Sequence, residues 1–190
     1  DLSSAAVSND GGTLTVTESY FENNRGSYGG AILSQGAASS LTVSGTNFEN
    51  NFAFLGGAIY CPNGNYLITS SNFTGNKVRG TGSSATSYAH GGAIAATETD
   101  ECIISDCRFK DNSATMGGAI STKNTNVVGC TFINNTAESA YSETYNGNPN
   151  NRGGMGAAVY SDAVMTIDDS TFINNTNTRN DAVYLRESTI

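Results

Sequence analysis

A Phe followed three residues later by Asn recurs six times in this chain: Phe21/Asn24, Phe48/Asn51, Phe73/Asn76, Phe109/Asn112, Phe132/Asn135 and Phe172/Asn175. A second motif alternates with it: Gly29-Gly30-Ala31-Ile32, Gly56-Gly57-Ala58-Ile59, Gly91-Gly92-Ala93-Ile94 and Gly117-Gly118-Ala119-Ile120. Looser copies are Ser4-Ala5-Ala6-Val7, Gly156-Ala157-Ala158-Val159 and Asn180-Asp181-Ala182-Val183. In four copies eight residues separate Phe from the first Gly-like position; the other two carry ten and sixteen extra residues. Without those extras the period is 23 to 27 residues. Such a period means a solenoid, because one short repeat cannot bury its apolar face and must borrow a core from its neighbours.

Aligning the copies on Phe shows what each rung is made of. Seven residues earlier stand Leu14, Leu41, Tyr66, Cys102, Thr125 and Met165; five earlier stand Val16, Val43, Ile68, Ile104, Val127 and Ile167. Two earlier stand the small residues Ser19, Thr46, Ser71, Cys107, Cys130 and Ser170. Apolar residues at alternate positions mark strands, and helical spacing is absent. The Gly-Gly-Ala-Ile segment supplies a second strand and the Phe segment a third. The expected fold is all-β: a right-handed parallel β-helix of six to seven rungs of about 25 residues, with three short strands per rung. It forms one domain over residues 1–190, with corner insertions at 77–90 and 136–155.

This grammar assigns mechanical roles. The Gly pair is expected at a corner that needs positive φ and where rungs approach too closely for a Cβ. The Asn three after Phe is expected to tolerate the left-handed conformation and to bond turn backbone or its counterpart one rung away. Phe should stack on Phe at the strand spacing of about 4.8 Å. Composition agrees: 89 of the 190 residues are Gly, Ser, Thr or Asn, and only 14% are charged. Those residues fall in fixed columns, so they are neither linker nor low-complexity sequence.

At these motifs the chain resembles the repeats of the chlamydial polymorphic membrane proteins, whose passenger domains carry many Phe-x-x-Asn and Gly-Gly-Ala-Ile/Leu/Val copies. The resemblance covers essentially the whole chain. It implies a surface-exposed β-helix passenger acting in adhesion, and it offers no catalytic residues to carry over. Neither the autotransporter barrel nor the middle domain of that family is expected within these 190 residues.

A net charge of −8, with nine Lys and Arg scattered singly, supplies neither the basic stripe of a nucleic-acid binder nor a polybasic membrane patch. No stretch approaches the roughly 18 apolar residues of a membrane span. No cofactor or metal is expected, because the four cysteines lack zinc spacing and His90 is the only histidine. Cys107 and Cys130 occupy one column in consecutive rungs, and Cys61 and Cys102 flank a corner one rung apart. Bridges Cys107–Cys130 and Cys61–Cys102 are therefore expected, with buried free thiols as the alternative. Three sequons, at Asn72, Asn134 and Asn174, are possible N-glycosylation sites and lean towards an extracellular or cell-surface setting.

Many β-helix proteins act on polysaccharides, so paired carboxylates matter. Glu22 and Glu49 are the only acids sharing a column in adjacent rungs, and no cation joins them in an acid–base set. Asp168-Asp169 reads as a turn. Thr13, Thr15 and Thr17 open an outward Thr array, but the Thr15 column runs on as Thr42, Leu67, Ile103, Asn126 and Thr166, too irregular for ice. The insertions leave one corner two rungs apart, and Tyr88, His90, Tyr141, Tyr145 and Arg152 are their candidate partner contacts. The expected function is a non-enzymatic structural or adhesive β-helix. It either stacks end to end with copies of itself into a filament or forms part of a longer surface adhesin, with cell-surface glycans or proteins as possible partners. A carbohydrate-active lyase or hydrolase on the same scaffold is the alternative.

Overall fold

Period-2 alternation becomes strand wherever the repeat aligns it. A computed structural model describes residues 5–79, 89–97, 101–138, 153–177 and 180–186. Every strand pairs in parallel with its counterpart one rung away. The column Leu14, Leu41, Tyr66, Cys102, Thr125, Met165 is in register throughout. The molecule is an all-β parallel β-helix, with no helix among the described residues.

The rungs carry four strands, not three. The first sheet has seven strands from Val7–Asp10 to Val183–Leu185, and the second six from Thr13–Thr17 to Met165–Asp168. The third has the six Phe strands from Tyr20–Glu22 to Thr171–Ile173. The fourth has five two-residue strands from Phe52–Ala53 to Thr176–Asn177, and they follow the buried Asn. Two residues are too few to show an alternating pattern, which is why the sequence does not announce them.

The core is thin and columnar. Phe21, Phe48, Phe73, Phe109, Phe132 and Phe172 stack with centroids 4.7 to 5.2 Å apart and ring planes within 7°. Ile32, Ile59, Ile94, Ile120 and Val159 line the opposite wall, all fully buried.

Two left-handed residues bracket each Phe strand. Glu18, Gly45, Ser70, Asp106, Gly129 and Asp169 lie three before Phe, with φ from 44° to 60°. Asn23, Asn50, Gly75, Asp111, Asn134 and Asn174 lie two after, with φ from 51° to 65°. The expectation placed the left-handed residue at the next Asn; that Asn instead turns into the corner and is buried at Asn51, Asn76, Asn112 and Asn135. Its Oδ1 accepts from the backbone N–H and Nδ2 of the Asn one rung before: Asn51 donates to Asn76 at 3.0 and 3.0 Å, and Asn76 to Asn112 at 2.9 and 3.1 Å. Its Nδ2 also donates to the preceding rung's Phe carbonyl, as Asn76 does to Phe48 at 3.0 Å.

The Gly pair divides its labour as expected. The first Gly has φ near 60°, from Gly56 at 59° to Gly117 at 64°. The second has no room: a Cβ on Gly57 would sit 2.0 Å from the Gly92 carbonyl oxygen and 2.8 Å from the backbone of Lys77.

Candidate functional site

Each Gly-Gly-Ala-Ile strand points one further residue outward, and register stacks those residues as Leu33, Tyr60, Ala95, Ser121, Tyr160 and Tyr184. The column changes character at the two insertions. Tyr60 stacks with Tyr28 at 5.4 Å, and Tyr160 with Tyr184 at 5.8 Å. Between them Ala95 and Ser121 are small, and His90 fills the space. Its Nδ1 lies 2.9 Å from Ser121 Oγ, and its ring meets Tyr160 edge-on at 6.0 Å. Tyr160 donates to Asp162 Oδ1 at 2.5 Å, and exposed Arg186 approaches the same carboxylate at 3.8 Å.

Burial holds the His90 imidazole below its ordinary pKa of 6.5, opposed by the Asp162 carboxylate. A neutral imidazole against a hydroxyl has the composition of a nucleophile–base pair. Ser121, however, is only 2% exposed, so its oxygen is closed to a substrate. The pair acts as an anchor.

What it anchors are the roots of both insertions. Ala89 donates to Thr115 Oγ1 at 2.9 Å, and Thr115 Oγ1 donates back to the Ala89 carbonyl at 2.8 Å. Gly154 donates to the Thr115 carbonyl at 2.7 Å, and Met116 bridges both His90 and Met155. Val78, Ala89 and Ala114 form a small second core beneath. The expected insertions at 77–90 and 136–155 therefore begin with regular strand, Lys77–Val78 and Thr136–Ala137, and both leave the fourth sheet two rungs apart. Tyr88, Tyr141, Tyr145 and Arg152 lie outside the described residues. His90 is half-buried, its ring lying against Ser121 where Ala95 and Ser121 leave room for it.

The bridges Cys107–Cys130 and Cys61–Cys102 are not formed: all four cysteines are free, buried thiols. The reason shows in the small-residue column. Ser19, Thr46, Ser71 and Ser170 each donate to the carbonyl two residues earlier, at 2.7 to 2.9 Å. Cys107 and Cys130 do the same with Sγ, at 3.1 Å to Ser105 and 3.3 Å to Val128. They are thiol members of a hydroxyl ladder. The Cys130 thiol beside it, together with burial, pushes Cys107 well up.

Glu22 and Glu49 are in register on the outer face of the third sheet. Tyr20, 57% exposed, donates to Glu49 at 2.5 Å, and that bond lifts its phenol to about 12. Asn72, Asn134 and Asn174 are all exposed, the last two stacked in adjacent rungs. Asn72 also donates to Asn47 at 2.9 Å. Among the described residues no group of three His, Cys, Asp or Glu could hold a metal ion.

Two stretches of this chain match the Chlamydia polymorphic membrane protein repeat, residues 18–35 and 45–62.

Each match starts at the left-handed residue before Phe and runs through the Gly pair into the first-sheet strand, covering a rung except for its second-sheet strand. No curated protein matches the chain, and no solved structure does. No helix of the described residues is long and apolar enough to cross a membrane. The tyrosine column is not legible in the sequence, because the residue just after each Gly-Gly-Ala-Ile motif varies from Leu33 and Tyr60 to Ala95 and Ser121.

Proposed function

We propose that this chain is a non-enzymatic, extracellular or cell-surface β-helix that adheres through the corner carrying its two insertions. One observation carries the reading. Both departures from an otherwise regular repeat issue from the same sheet two rungs apart, and a dedicated set of contacts through Ala89, Thr115, Met116 and Gly154 ties their roots together. Solenoid corners accept insertions at little cost, but a cross-linked pair on one face builds a surface. Surface glycans or proteins are the partners such a face would meet, and the matched repeat supports a surface role.

Replacing residues 80–88 and 139–152 with the short turn used by the rung between them tests this. The shortened chain should keep its circular dichroism and melting temperature while losing binding to cultured cells and to arrayed glycans. Undiminished binding would remove the insertions from the function.

End-to-end self-association belongs to the same reading. The Phe and Asn ladders have direction and repeat, so a rung from a second copy in register would extend them as one from the same chain does. Filaments should appear by negative-stain microscopy as concentration rises; monodisperse monomers throughout would end the idea. The carbohydrate-active alternative rests on Glu22 and Glu49. It predicts polysaccharide turnover that disappears in Glu22→Gln or Glu49→Gln, and inactivity of the unaltered chain across acidic and neutral polysaccharides would dismiss it.

A further inference from the structure

We propose that the interior corner between the first and second sheets, in the third to fifth rungs, is a binding site for ordered water. Tyr66, Thr122 and Thr125 would hold it, and the thiols of Cys61 and Cys102 border it. These three side chains are each 3% exposed, and among the described residues their hydroxyls are the buried side-chain oxygens that find no hydrogen-bond partner. Tyr66 and Thr125 flank Cys102 in one inward column, two rungs apart, and Thr122 ends the first-sheet strand of Thr125's rung.

The column also makes room. Leu14 and Leu41 fill this position in the first two rungs and Met165 in the sixth, whereas the fourth and fifth rungs carry only Cys102 and Thr125. Across the corner the first-sheet column is small already, with Ala96 beside Thr122 and Ser161 after it, so it is the second-sheet wall that recedes. A water needs two to four polar partners and about 30 Å3 of liquid volume. The Tyr66 hydroxyl lies close to the Cys61 thiol and the Asn63 backbone, and the Thr125 hydroxyl close to the Cys102 thiol, and none of these contacts is a hydrogen bond of normal geometry.

The chemistry selects water over other guests. Burial keeps protons on both thiols, lifting Cys102 to about 12 and Cys61 well above its ordinary value, and two thiols fall short of a closed metal site. Walls this deeply buried give a larger organic ligand no entrance. Water alone both donates to and accepts from hydroxyls and thiols at this size.

The near-isosteric variants Thr125→Val and Tyr66→Phe test the site. If water is bound, each strips a partner from it, and the folding constant read from urea unfolding should fall by about five- to thirtyfold. If the hydroxyls are simply unpartnered, removing one relieves a buried polar group, and variants as stable as the parent or more so overturn the proposal. A crystal structure of the unaltered protein decides independently, should a variant fail to fold. Density within hydrogen-bond distance of the three hydroxyls supports the site. A bare corner, a Cys61–Cys102 bridge or a thiol-bound metal ion there refutes it.

Discussion

At the residue scale, the buried Asn is the most constrained side chain in each rung. Asn76 accepts two hydrogen bonds from Asn51 and donates one each to Phe48 and Asn112. Asn76→Ala leaves the two Asn51 donors buried without their acceptor and takes one hydrogen bond from the Phe48 carbonyl. At about 1–3 kcal/mol for each orphaned group, partly relaxed, the expected loss is on the order of 3–5 kcal/mol in chemical denaturation. Cys107→Ser with Cys130→Ser should cost under about 1 kcal/mol in the same assay, since serine already occupies this column at Ser19, Ser71 and Ser170. A large loss would mean that the thiols do more than hydroxyls do elsewhere in the ladder. The motif spacing made Asn a ladder candidate, but its burial could not be read from spacing, because the φ reversal falls on the residue before it.

At the element scale, each three-residue Phe strand is held by what lies above and below it. Phe109 sits between Phe73 at 4.8 Å and Phe132 at 4.9 Å, whereas Phe172 has one described stacking partner and is only partly buried. Phe109→Ala should therefore cost about 3–5 kcal/mol and Phe172→Ala clearly less, as judged by urea midpoints. Equal losses would show that the stack is not the source of the stability. His90 acts at the same scale, tying an insertion root to the first sheet. Its folded-state pKa lies below the unfolded value of about 6.5, so the unfolded chain binds more protons as pH drops. This contribution is complete above pH 6.5 and is lost progressively as pH falls below it. Asp162 and the Tyr160 hydroxyl face the ring, and Arg186 lies beyond them, so His90→Asn is the control. It should flatten the dependence of the melting temperature between pH 7.5 and 5, and an unchanged slope would acquit His90.

At the scale of the whole molecule, stability should be graded along the axis, because each rung contacts only its neighbours. Amide exchange is expected to be slowest in the third to fifth rungs, around Ile68, Ile104 and Val127, and faster at Thr13–Thr17 and Met165–Asp168. Uniform protection would indicate all-or-none unfolding instead.

The sequence by itself determined the fold class, the rung and the columns, because parallel in-register stacking writes every contact as a repeat of one residue type at one spacing. Phe on Phe, Asn on Asn and the close approach at the second Gly were all legible as columns. Tertiary structure decided whatever depends on contacts between columns or on single departures from the repeat. It placed the two-residue fourth strand against the Gly pair and chose thiol ladder over disulfide at Cys107 and Cys130. It set His90 against Ser121 and lined one interior corner with the hydroxyls of Tyr66, Thr122 and Thr125. A one-dimensional repeat encodes neighbours along the axis; it says nothing about which side chains meet across the lumen or over the outer face.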